Sequence, residues 1–177
     1  MIRDNEISRL TKYAQGLGLK VSFSSETGGS SAAGWVLDGS EIIVYTAFQR
    51  SKTETILSLI HEIAHHVWFI HEKDRQPDLK FSEAIERQNL FEEEVKDKPA
   101  PKKLRKKILA TEIAGTIWWE TIYKDTDMKF PKWKLYAAME MDVWAYEVYA
   151  ETGSFPDRPQ TRAKAREINT KHKGKYE

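Results

Sequence analysis

Apolar residues recur at helical spacing in several long stretches of the chain and alternate with polar ones in a short early stretch. Ile7, Leu10, Ala14 and Leu17 share one helical face. They predict a first helix that Asp4 caps and that Gly16 and Gly18 stop. Lys20 to Ser24 alternates and predicts a strand. Thr27 to Gly34 is a Gly/Ser loop. Trp35-Val36-Leu37 and Glu41-Ile42-Ile43-Val44-Tyr45 then flank Asp38-Gly39, a hairpin signature between two β-rich runs. The pattern predicts a small, mostly antiparallel sheet from about Lys20 to Thr46.

From Ser51 the period changes to helical. Ser51 and Glu54 have the spacing of a capping box. Ile56, Leu59, Ile60, Ile63, Ala64 and Val67 form the buried side of a helix running to about Ile70, with a break from Arg75 to Leu79 around Pro77. Phe81 to Lys96 predicts another helix. It is acidic, with six acids against two bases between Ser82 and Asp97. Asp97 to Pro101 is a linker. The basic run Lys102 to Lys107 opens a helix reaching about Lys124, and Lys124 to Pro131 is a loop. Lys132 to Thr152 is the last long helix, ended by Gly153. Both charge runs read first as solvated surface. From Pro156 the tail is basic, with seven Lys/Arg and three acids, and is either a short helix or disordered. The order of elements predicts an α+β fold, a small sheet packed on helices. The expected organisation is one domain over 1–155 and a basic tail over 156–177.

Composition narrows the chemistry. The chain has 177 residues, 40% hydrophobic and 31% charged, a net charge of +1 and no cysteine. The near-zero charge argues against a general nucleic-acid or membrane binder. The lack of cysteine removes disulfides, thiolate catalysis and Cys-held zinc. Any bound metal must rest on His and carboxylate. No stretch has the apolar length of a signal core or a membrane span, so a cytoplasmic location is the default expectation.

The chemically loaded segment is His61-Glu62-Ile63-Ala64-His65, an H-E-x-x-H motif on the most apolar predicted helix. Residues four apart share a helix face, so His61 and His65 can grip one metal ion. Glu62 beside them is a candidate general base. A catalytic zinc usually takes a third protein ligand. His66 points about 100° away from His65 and fits poorly. His71 has the metzincin spacing, but the glycine that motif needs is replaced by Trp68. Two glutamates on apolar stripes remain. Glu112 lies with Leu104, Ile108, Gly115 and Trp119; Glu140 lies with Trp133, Tyr136, Ala137, Val143 and Trp144. A carboxylate on such a face is costly unless compensated, and a metal would compensate it. Glu112 is the first choice because Gly115, one turn on, leaves room for close approach. Glu140 is the alternative, and the loser could hold a histidine ring in place. Tyr45, Tyr123, Tyr136, Tyr146 and Tyr149 are the candidates for stabilising an oxyanion. The β-rich run Ile42 to Tyr45, just before the motif helix, is the expected edge for an extended substrate.

Leu59-Ile60-His61-Glu62-Ile63-Ala64-His65-His66 and the later Glu112-Ile113-Ala114-Gly115 resemble the zincin peptidases with a Glu third ligand, in particular the ImmA/IrrE-type metallopeptidases and their small phage and prophage relatives. The resemblance covers roughly Trp35 to Trp119. It implies a zincin-like (minigluzincin) fold, one Zn2+ per chain held by His61, His65 and Glu112, and Glu62 activating water. It also implies a protein or peptide substrate, in that family often a repressor or other regulator. Ala64 stands where the family usually has glycine, and the 47 residues from His65 to Glu112 are more than usual. The expected function is therefore a zinc metallopeptidase. The alternative is a non-catalytic module of the same fold that contacts protein or nucleic acid, although the basic tail lacks the interleaved aromatics of a single-strand binder.

Overall fold

The computed structural model describes residues 2–26, 33–35, 40–48, 51–75 and 101–176. In chain order these form α1 (Ile2–Gly16), β1 (Lys20–Ser24), β2 (Ala33–Trp35), β3 (Glu41–Tyr45), a 3-10 turn (Thr46–Phe48), α2 (Lys52–Arg75), α3 (Lys102–Thr116), α4 (Trp119–Asp125), α5 (Lys132–Thr152) and α6 (Arg158–Tyr176). The chain divides into two compact units. One comprises residues 1–84 and 118–129; the other comprises 85–117 and 130–177. The expected acidic helix at Phe81–Lys96, the Asp38-Gly39 turn and Pro77 lie outside the described residues.

The first unit is built around α2. Ser51 starts it, accepting the Glu54 N–H on its hydroxyl at 3.2 Å, as an N-cap serine should. The predicted apolar stripe is its buried side. Ile56, Leu59, Ile60, Ile63 and Ala64 are fully buried and Val67 nearly so. That side packs on α1, α4, β2 and β3. The helix continues past Ile70 to Arg75, because the residues after it are good helix formers and the first breaker in sequence is Pro77. α1 begins at Ile2, so Asp4 lies inside the helix rather than at its cap. Its end is as expected. Gly18 takes φ +85°, the Gly18 N–H bonds Gln15 O and the Leu19 N–H bonds Ala14 O at 2.9 Å. This pair of bonds is a Schellman closure, which glycine makes without strain. α4 closes with the same bond pattern at Asp127 (φ 49°) and Met128. Buried Glu6 of α1 accepts the Lys129 N–H at 2.7 Å and anchors α1 to this turn.

The sheet has the order β1-β3-β2. β2 pairs antiparallel with β3 over Ala33↔Val44 to Trp35↔Ile42, as the hairpin signal requires. β1, however, runs parallel to β3 from Lys20↔Glu41 to Ser24↔Tyr45. The sheet is therefore mixed, and its longer ladder is parallel. The expectation of a mostly antiparallel sheet is corrected on this point. β3 carries the apolar alternation, with Ile42 and Val44 fully buried, so it takes the centre and can be flanked on both sides. This also corrects the expected substrate edge. Among the described residues β1 and β2, not β3, are the outer strands.

The second unit packs α3 and α6 on α5. α5 spans Lys132–Thr152, and Gly153 caps it at φ 82° with its N–H on Tyr149 O, as the sequence predicts. The helix expected from Lys102 to Lys124 is interrupted after Thr116. There the Thr116 hydroxyl donates to Ile113 O at 2.8 Å, a local bond that competes with helix continuation. Residues 158–176 of the expected tail form a full helix, α6, which buries Ile168 and His172. Glu140 holds it: the Lys171 ammonium reaches both carboxylate oxygens at 2.8 and 2.6 Å, and His172 Nε2 lies 2.7 Å from Oε2. The rings of Tyr136, His172 and Tyr176 stack beside this cluster, with Tyr136 and Tyr176 at 4.8 Å.

Lys171 foremost, then His172, holds the Glu140 carboxyl below its ordinary value. A depressed carboxyl contributes stability above its unfolded pKa, about 4.3, and that contribution disappears as pH falls through the folded value. The expected outcome is that α6 protection in amide hydrogen exchange drops in acid below about pH 4. Glu140→Gln should lower protection at neutral pH and flatten this acid response. No helix among the described residues is long and apolar enough to cross a membrane.

Candidate metal centre

α2 presents His61 and His65 one turn apart on a common face, next to its fully buried stripe. His65 is buried (5% exposed) and His61 half-buried. Their Nε2 atoms face each other at 3.1 Å, with ring centroids 4.5 Å apart and planes at 76°. Neutral imidazoles meeting this way need one donor and one acceptor, and two protonated rings would oppose N–H to N–H. A shared cation takes both lone pairs at once. At zinc–nitrogen distances of about 2.0–2.1 Å, tetrahedral donors lie about 3.3 Å apart, close to the observed separation. Glu62, half-buried, follows His61 on the same helix.

Glu112 belongs to the buried stripe of α3 with Ile108, Gly115 and Thr116. It is only 1% exposed. His61, His65 and Glu112 each offer one ligand atom, and these atoms all lie within 4.8 Å of one another. Among the described residues they are the group of three that meets this condition. Two imidazoles and a carboxylate, without sulfur, are the donor set of many hydrolytic zinc sites. The chemistry of the donors thus fits zinc.

The other sequence candidates go elsewhere. His66 is buried on the side of α1, its Nε2 3.4 Å from Leu17 O. Burial pushes its pKa down, with the Leu17 carbonyl acting in the opposite sense. His71 is exposed and stacks on Trp118 at 4.3 Å. Glu140 is engaged by Lys171 and His172. No family model, curated protein or solved structure matches the chain.

Two features escaped the sequence reading. Trp119 of α4 sets its ring edge-on to His61 at 5.7 Å and 87°. It is 3% exposed, and so limits the rotamers open to that imidazole. Its place at the end of the stripe through Glu112 was the available signal. His172 as the partner of Glu140 had no signal, because the two are 32 residues apart. Among the tyrosine candidates, Tyr136 lies in the α5–α6 stack, while Tyr146 and Tyr149 pack on Phe155. Tyr123 is buried, and its hydroxyl pKa is raised by burial and then by Glu6 and Asp127.

Proposed function

We propose that the chain is a zinc-dependent metallopeptidase of zincin-like fold, with one zinc per chain held by His61, His65 and Glu112. The observation that carries this reading is the closeness of those three donor atoms, found around an H-E-x-x-H helix. When bound, zinc supplies Lewis acidity that polarises a scissile carbonyl and makes water nucleophilic near neutral pH. The chain's residues do the rest. Glu62, adjacent to His61 on α2, accepts the proton from the attacking water and returns it to the leaving amine. The buried apolar side of α2 fixes the helix, so the two imidazoles and Glu62 keep their relative positions without reorganising. Trp119 keeps the His61 ring turned toward His65. An extended protein or peptide substrate, a regulator among the candidates, can add to an outer strand of the sheet through backbone hydrogen bonds.

The test is metal content with activity. Purified chain is expected to carry about one zinc, as a single three-ligand site with an open position requires. It should hydrolyse an unfolded protein substrate, and lose that activity to a chelator such as phenanthroline and regain it with added zinc. Failure to take up zinc at all would overturn the proposal.

A further inference from the structure

α6 carries a second chemical pattern that the proposed metal chemistry does not use. Two of its lysines are held in ion pairs. Lys164 pairs with Glu167 at 2.8 Å and Lys171 pairs with Glu140. Arg158, Arg162 and Arg166, by contrast, are exposed and make no ion pair with any described residue. They stand at i, i+4 and i+8, within an arc of about 80° at about 6 Å steps along the axis. Exposed Asn169 and Lys173 continue the same arc, which then runs for about 22 Å. No acid falls on it. Glu167 points to the other side, and Asp157 is occupied in reciprocal bonds with Gln160 at the helix start.

We propose that this arginine stripe of α6 docks on the phosphate backbone of duplex nucleic acid. A duplex presents one negative charge per about 1.7 Å of axis, so a 22 Å stripe spans enough phosphates to engage every guanidinium. Arginine suits that role because its planar fork bonds phosphate oxygens in pairs. A helix lying on a membrane would need an apolar face turned outward, but Ile168 is buried under α6 and the stripe holds no apolar residue. An interface with a folded protein would be expected to centre on an apolar core, which the arc also lacks. The near-neutral whole chain and the absence of aromatics argued against nucleic acid at the level of sequence. Aromatics serve single-strand stacking, whereas backbone docking on a duplex needs only ordered cations, and the tail orders them as a helix.

The experiment is fluorescence anisotropy of a labelled DNA duplex of about two helical turns, titrated with the full chain across a salt series. Three phosphate contacts predict a log–log salt slope of about −2.7, or a roughly fortyfold loss of affinity from 50 to 200 mM salt. Arg158→Gln/Arg162→Gln/Arg166→Gln should remove most of the binding at low salt and flatten the slope. The matching triple Lys variant should retain most of it. Circular dichroism checks that both variants stay helical, which the exposure of all three positions favours. Absence of salt-dependent duplex binding, or unchanged binding by the triple Gln variant, overturns the proposal. So does binding to phosphatidylserine vesicles in place of the duplex. None of these readouts depends on zinc, so this proposal and the peptidase reading fail separately.

Discussion

Glu62→Gln is expected to keep about one zinc per chain and to lose peptide hydrolysis by a factor of about 10² to 10⁴, the range of general-base contributions. That is about 3 to 5.5 kcal/mol of transition-state stabilisation. The substitution is nearly isosteric. Glu62 is half-buried, lies beside the stripe of α2 rather than in it, and is not among the three clustered donors. Stability should therefore change little, and KM less than kcat, because the lost proton acceptor acts in the transition state. The measurement is zinc content and steady-state kinetics on the same preparation. If the variant loses zinc together with activity, Glu62 is a ligand or a structural partner, and the general-base role is wrong. If it keeps both, the hydrolysis does not run through this motif.

Several helix ends were legible because their signals are local. Ser51 caps α2, Gly18 closes α1 and Gly153 closes α5. The stripe from Ile56 to Val67 was readable from period alone. The sheet was legible only in part. An Asp-Gly pair reports on the two runs it joins, and β2 and β3 do pair antiparallel. It says nothing about where a third strand adds, and β1 chose the parallel side of β3. The tail, left open in the sequence between a short helix and disorder, is a helix of 19 residues. Its polar composition favours exposure, while its order comes from Glu140, Lys171, His172 and the Tyr136–Tyr176 stack, contacts between residues about 30 to 40 apart in sequence that no window of local pattern contains.

The grouping of the candidate metal ligands was legible in part. His61, Glu62 and His65 follow from the spacing of one helical turn. The third candidate donor does not, since Glu112 and Glu140 both stand on mixed apolar stripes, and only tertiary surroundings separate them. Glu112 is 1% exposed and within 4.8 Å of the histidine nitrogens, whereas Glu140 faces an ammonium and an imidazole of α6.

Glu112→Ala and Glu140→Ala should consequently fail in different ways. Glu112→Ala is expected to weaken zinc binding by more than the roughly ten- to hundredfold typical of groups one layer out from a metal. Zinc competition with a chromophoric chelator would measure it. Glu112→Gln keeps the volume and supplies only a neutral amide, so it should also lose most of the affinity, without the cavity that alanine leaves. That pair separates loss of a ligand from loss of packing. Glu140→Ala should keep its zinc and instead expose α6 to hydrogen exchange, because Lys171 and His172 lose their shared anion. Zinc lost from Glu140→Ala and retained in both Glu112 variants would reverse the ligand assignment. The buried Glu112 would then require another explanation, because a charged carboxylate at 1% exposure is costly wherever no cation faces it.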